Sequence, residues 1–286
     1  MNKSLLKKFV IPAALTVTAL ILLDAYFLEK YFFEIKKFRI GRINSSGRPI
    51  RLLQLSDLHL KDHLTYNYIR LAKTVRRLQP DLILITGDAI DTHGSIDILQ
   101  SFLDLLDTDT PKAAILGNHE YSADIDIKEL KKLYEQYNCN LLINESKAYQ
   151  IRGERVMVTG LDDLLNGEND IQKAFKEVKA EKNHLVLIHS PQHQESLKEV
   201  LADINGSRRS EDRINVQYLF AGHNHGGQIT LAGQIVPYLP DKSGNYLKGW
   251  YNQAPPYLYL SKGFGTSTVP FRFGARAEIT SFLYNT

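Results

Sequence analysis

The chain has 286 residues, enough for one large domain with a sizeable core, or for one domain with an extension. A formal net charge of +3 is too small for a dedicated nucleic-acid binder, and a single cysteine, Cys139, excludes an internal disulfide. Cys139 is therefore expected to be a small buried apolar residue, and it leaves the compartment open.

The first 30 residues differ from the rest. Lys3, Lys7 and Lys8 precede an unbroken apolar or small-residue run from Phe9 to Leu23, and after Asp24 the apolar character resumes to Leu28. Counted to Leu28, the run reaches the roughly 20 residues that a membrane-spanning helix needs. No small-x-small cleavage site follows it, so residues 1–30 are read as one retained membrane anchor, with a cleaved signal peptide as the alternative. Basic residues flank the run on both sides (Lys30, Lys36, Lys37, Arg39 and Arg42 beyond it), so the charge rule does not choose a membrane face. Residues 31–49 are expected to form a linker with an edge strand over 34–40 and a turn at 44–49. Residues 50–286 form the main domain.

Along that domain, apolar runs alternate with helical patterns, which implies an α/β layering. The run 52–55 ends in Ser56-Asp57-Leu58-His59. Helical spacing over 66–78 turns Ile69, Leu71, Val75 and Leu78 inward, and Pro80 stops it. The run 81–86 ends in Gly87-Asp88, with Asp91 three residues on. A short helix over 96–106 leads to the strand 113–116 and then Gly117-Asn118-His119-Glu120. A charged, exposed helix is expected over 125–137. Two or three strands lie within 141–160, and Asp162 and Asp163 beyond them read as a loop and helix start. A helical stretch over 170–179 precedes the run 185–188, which ends at His189, and Pro191 opens the next helix. A polar excursion over 205–215 leads to the run 218–222 and His223-Asn224-His225. Hairpin strands are expected at 228–231 and 234–236, an irregular aromatic stretch at 237–250, and final strands at 257–261 and 275–283.

Five apolar runs thus end in the same way. Runs of this length suit strands buried on both faces, and open α/β sheets gather ligands beyond the carboxyl ends of their strands. The residue types placed at that shared rim are Asp, Asp, Asn and four His. Mixed carboxylate, amide and imidazole donors suit Mn, Fe or Zn. Two such ions can clamp the attacking and leaving oxygens of a phosphoryl group. Asp88 is the natural bridge, because a carboxylate can give one oxygen to each ion. Gly87, Gly117 and Gly222 are expected to let the backbone turn sharply before the ligands. Nine histidines are present, and five fall in these runs. His63, His93, His184 and His193 read as surface or local packing residues.

The set Asp57-x-His59, Gly87-Asp88-x-x-Asp91, Gly117-Asn118-His119-Glu120, His189 and Gly222-His223-x-His225 resembles the calcineurin-like metallophosphoesterases, from about residue 50 to the C-terminus. The resemblance implies a four-layer αββα sandwich, two central mixed sheets flanked by helices. It implies that Asp57, His59, Asp88 and His225 hold one metal, and Asp88, Asn118, His189 and His223 the other. His119 would act as general acid or charge stabiliser beside the leaving group, and Asp91 would orient a ligand or His119. Protein phosphatases of the superfamily carry Arg-Gly after the second acidic motif and Arg before Gly-Asn-His. Thr92-His93 and Leu116 stand there instead, which weighs against a protein phosphatase. The stretches from Gly222 to Gln228, Gly263 to Ser267 and Arg272 to Arg276 are similar to a bacterial, membrane-associated branch. That branch includes exported phosphoesterases and a UDP-2,3-diacylglucosamine pyrophosphatase. Arg272 and Arg276 are expected to contact a phosphate or diphosphate remote from the metals.

The expected protein is a membrane-anchored hydrolase using two divalent ions, manganese first with iron or zinc as alternatives. It would cleave a phosphodiester or diphosphate bond in a lipid-linked or nucleotide-linked substrate, by in-line attack of hydroxide. A phosphomonoesterase or nuclease with the same site is the alternative, and a scaffold without chemistry ranks last. Neither a specific nucleic acid nor a protein partner is expected.

Overall fold

The computed structural model describes residues 6–42, 47–231 and 233–286. Lys3 and residues 44–46 of the expected turn at 44–49 lie outside them. The N-terminal helix runs as a π turn (Leu6–Val10), an α-helix (Ile11–Leu23), a second π turn (Asp24–Leu28) and a last short turn (Glu29–Tyr31). Lys7–Leu28, 22 residues, is long and apolar enough to cross a membrane. Phe9, Leu15 and Leu20 are exposed, whereas Ala25 and Glu29 near its end are buried.

Twelve strands follow among the described residues: β1 (Glu34–Gly41), β2 (Ile50–Leu55), β3 (Leu82–Thr86), β4 (Lys112–Ile115), β5 (Cys139–Leu141), β6 (Glu145–Ile151), β7 (Glu154–Gly160), β8 (His184–Leu187), β9 (Tyr218–Ala221), β10 (Gly249–Tyr251), β11 (Tyr257–Leu260) and β12 (Glu278–Asn285). They make two six-stranded sheets, in the orders β1-β12-β2-β3-β4-β5 and β10-β11-β9-β8-β7-β6. Both sheets are mixed: β2, β3, β4 and β5 run parallel, with β12 antiparallel to β2. In the second sheet β7, β8, β9 and β11 run parallel, with β6 and β10 antiparallel at the edges.

Alternation along each strand explains the four layers. Leu82 and Leu84 of β3 enter a core with Leu185 and Leu187 of β8 and Phe220 of β9, between the two sheets. Ile83 and Ile85 point the other way, onto Leu71, Val75, Leu99 and Phe102 of the helices Tyr66–Leu78 and Ile96–Leu103. Val186 and Leu219 pack outward on Phe175, Leu197 and Leu201 of the helices Ile171–Phe175 and His193–Gly206. Each fully buried Leu or Ile contributes about 1.5–3 kcal/mol relative to exposure, so strands buried on both faces dominate the stability.

The helix expected at 66–78 forms over Tyr66–Leu78 and stops at Gln79, whose φ of 46° breaks the helix ahead of Pro80. Cys139 is buried. The edge strand expected over 34–40 forms as β1, at the edge of the first sheet and paired along its whole length with β12. Other expectations are corrected. The hairpin at 228–236 does not form: Leu231 and Ile235 share a single bridge, while Ile229 bridges Phe273. Gln228 and Thr230 bond instead to residues 273 and 274, and only Leu231 and Ile235 exchange backbone bonds with each other among the described residues of the segment. The helix at 170–179 shortens to Ile171–Phe175, and the excursion at 205–215 holds the end of one helix and a 3-10 turn, Ser210–Asp212, between irregular stretches.

Candidate metal centre

The five loops leave the C-terminal ends of β2, β3, β4, β8 and β9, so two sheets deliver their polar residues to one rim. Backbone bonds hold the loops together: Asp57 N donates to Gly87 O at 3.1 Å, and His59 N to Asp88 O at 2.9 Å. Asp57, His59, Asp88 and His225 are all buried and offer atoms that lie within 4.8 Å of one another. The Nε2 atoms of His59 and His225 are 2.9 Å apart. Asp88 Oδ2 is 3.6 Å from His59 Nε2, and Asp57 Oδ1 is 3.6 Å from His225 Nε2. On the other side of Asp88, His189 Nε2 lies 3.3 Å from the same Oδ2. His223 Nδ1 lies 3.1 Å from Asn118 Oδ1, and its ring is 5.0 Å from that of His189. Asp88 therefore faces both groups.

The donor set fits cations. A carbonyl only accepts, so His189 Nδ1 donates to Thr86 O at 2.9 Å and its lone pair sits on Nε2, a buried atom with no hydrogen-bond partner. Likewise His223 Nε2 donates to Asp241 O at 2.7 Å, which frees Nδ1 toward Asn118. Backbone carbonyls that fix the tautomer of a ring in this way are a recurrent feature of imidazole ligands to metals. Asp57, His59, Asp88, His223 and His225 all hold positive φ, between 48° and 78°. Strain of this kind costs of order 1–3 kcal/mol per residue and clusters at functional sites.

Burial alone would raise the Asp88 carboxyl, but the charges and hydrogen bonds of His189, His59 and His119 outweigh it and hold Asp88 well below the usual range. Asp88 is thus ionised. Burial pushes His223 down to about 4, and burial with His59 and Arg272 pushes His225 well down, so both rings are neutral.

The glycines act differently from expectation. Only Gly87 turns with positive φ (87°). Gly117 and Gly222 are needed for close approach: a Cβ at Gly117 would meet Asp88 Oδ1 at 2.2 Å, and one at Gly222 would meet Ser56 Oγ at 2.0 Å.

His119 is half-buried at the rim. Its Nδ1 lies 2.9 Å from Thr92 Oγ1, its Nε2 3.3 Å from Ser267 Oγ, and its ring 4.4 Å from that of His59. Asp91 Oδ2 lies 3.2 Å from His59 Nδ1 and 3.9 Å from His119 Nδ1, so this carboxylate faces both rings. Asp163 is buried and accepts from Leu165 N and Asn166 N, in keeping with a loop role. Arg272 does not reach a substrate phosphate as expected. Arg272 is fully buried, because its guanidinium donates to Gly265 O, Ala275 O and His225 O and contacts His225 Nδ1. Arg276 lines a separate cavity with Lys36, Lys37, Lys248 and Lys262, away from the Asp and His rim.

Glu120 was quoted in its motif without a role. Buried, it accepts from Asp88 N (3.1 Å), Ile90 N (2.9 Å) and Gly117 N (2.8 Å), which staples the loop after β3 to the loop after β4. The signal for it was its place three residues after Gly117, where a carboxylate can turn back onto a helix N-terminus. A cavity of ≈ 220 Å³ opens beside His225, with largely apolar walls from Ile229, Pro237, Tyr238 and Val269.

Two mixed sheets between helices, with buried Asp and His side chains and the half-buried Asn118 at the ends of their parallel strands, define a metallophosphoesterase. The chain belongs to the calcineurin-like phosphoesterase family, whose model matches residues 50–227. It is 30% identical over 276 residues to YkoQ of Bacillus subtilis (strain 168), an uncharacterized metallophosphoesterase, across 91% of this chain and 95% of the relative. It is 24% identical to the phosphodiesterase YaeI of Escherichia coli (strain K12), across 89% of each chain. A transmembrane protein with metallophosphoesterase domain from Bos taurus is 25% identical across 85% of this chain and 55% of its own length. The chain is a metal-dependent phosphoester hydrolase.

Proposed function

We propose that the chain hydrolyses a phosphodiester or diphosphate bond in a lipid-linked or nucleotide-linked substrate at a membrane. The observation that carries the reading is Asp88, one ionised carboxylate between two sets of ligand atoms. Asp57, His59, Asp88 and His225 would hold one divalent ion, and Asp88, Asn118, His189 and His223 the other. Manganese is the first choice, with iron or zinc able to use the same donors. When bound, the ion pair supplies Lewis acidity to the phosphoryl oxygens and hydroxide near neutral pH. Asp88 fixes the spacing of the two ligand sets. Asp91 orients His59, and His119 stands at the rim to steady or protonate the departing oxygen. Three observations support the finer substrate class: the apolar cavity beside His225, the exposed apolar helix Lys7–Leu28 as an anchor, and a relative named as a phosphodiesterase.

The test is turnover of a chromogenic phosphodiester and the matching monoester by the full chain in detergent, with Mn²⁺, Zn²⁺ or a chelator. Metal-dependent turnover that favours the diester is expected. Turnover mainly of the monoester would replace this reading by a phosphomonoesterase.

A further inference from the structure

The N-terminal helix does not end as a free stalk. Tyr26 packs on Phe271 with ring centroids 4.9 Å apart, and Ala25 O accepts from Arg272 N at 3.2 Å. The Glu29 carboxylate accepts from Gly274 N at 2.8 Å and Ala275 N at 2.9 Å, and its carbonyl accepts from Ala277 N at 3.0 Å. Glu29 is only 8% exposed. A buried carboxylate with each oxygen on a backbone N–H is a fixed attachment, and hydrogen bonds to a charged group are the stronger kind.

The segment that Glu29 holds carries Arg272. The Arg272 guanidinium donates to Ala275 O at 2.9 Å, twice to Gly265 O, and to His225 O at 3.3 Å. Its Nη2 lies 3.1 Å from His225 Nδ1. Gly265 N in turn donates to Asp57 O at 2.7 Å. One side chain therefore ties the backbone behind Asp57, the backbone carbonyl of His225 and the segment fixed by the helix. The ring of His225 is left with its Nε2 aimed at His59 Nε2, 2.9 Å away.

We propose that Glu29 and Arg272 are positioning residues of the metal centre: the last turn of the N-terminal helix sets the guanidinium that holds His225 against His59 and Asp57. The proposal rests on His225 being a metal ligand. It makes the helix a part of the site's support, in addition to any role as an anchor. Partners behind a metal ligand typically change metal affinity by about 10–100-fold when removed.

The test uses the full chain in detergent, stripped of metal and titrated with Mn²⁺ by calorimetry and with Co²⁺ by visible absorption. The variants are Glu29→Ala and Glu29→Gln, the second nearly isosteric and so able to decide the matter if the first does not fold. Asp81→Asn is the control. It removes the charge and one of the two acceptor oxygens that meet Arg51 and Arg152 at the N-terminal end of β3, the opposite end from the site. With wild type binding two ions, Glu29→Ala is expected to weaken one of them by about 10-fold or more and to alter its Co²⁺ spectrum. Glu29→Gln should fall between, and Asp81→Asn should leave both affinities unchanged. Glu29 variants that bind both ions with wild-type affinity and spectrum overturn the proposal. A wild-type chain that binds no ion overturns the site assignment instead.

Discussion

Replacing Asp88 by Asn is expected to lower turnover by about 10³-fold or more, on the order of 4 kcal/mol of transition-state stabilisation. Metal content should fall from two ions to one or none while the fold persists. Asn has the same shape but is neutral and presents one acceptor oxygen, so it cannot face both ligand sets. In the wild type Asp88 Oδ1 accepts from His119 N at 2.9 Å, and Oδ2 lies between His59 and His189. The variant loses the negative charge as well as the bridge. Steady-state kinetics with metal analysis of the purified chain checks both parts. A variant that keeps two ions and more than a tenth of wild-type activity would contradict the role given to Asp88.

Replacing His119 by Ala is expected to cost about 10²–10⁴-fold in kcat on a substrate with a poor leaving group. Metal content should not change, because His119 sits beside the ligand sets, with Nδ1 on Thr92 and Nε2 toward Ser267. The cost should shrink for a nitrophenolate leaving group, which departs without a proton. Burial holds the His119 ring below the ordinary imidazole range, with Asp88 and Asp91 opposing. The sign follows: the proton is present below that lowered pKa and lost above it. The advantage of wild type over His119→Ala should therefore grow as the pH falls. Rates for both chains on both leaving groups across pH decide this, and an equal loss on both leaving groups would remove His119 from the departure step.

The site was legible in the sequence because its ligands stand directly behind strands buried on both faces. Leu82 to Thr86 reads as apolar throughout, so a following Asp88 had to lie at a strand end. Asp57, His59, Asn118, His189, His223 and His225 are placed by the same logic, and the alternation of Leu82 with Ile83 and of Leu185 with Val186 explains the layers. What the sequence hid depends on contacts between distant segments. The pairing of Glu34 with Glu278 joins the two ends of the domain, and no local pattern encodes it. Arg272 read as a substrate contact because arginine is rarely buried, yet its hydrogen bonds are met by carbonyls brought from three other places in the chain. The docking of Glu29 was hidden for a similar reason: a glutamate just after an apolar helix reads as a solvated flank. Gly117 and Gly222 were seen, but what makes them necessary is an approach by Asp88 and Ser56 that only the fold reveals.

The most direct test of the account is the number and position of metal ions in crystals of the full chain grown with Mn²⁺, read from anomalous scattering. The account predicts two peaks that share Asp88. One would be ringed by Asp57, His59 and His225, and the other by Asn118, His189 and His223. A single peak, or peaks away from Asp88, would contradict it.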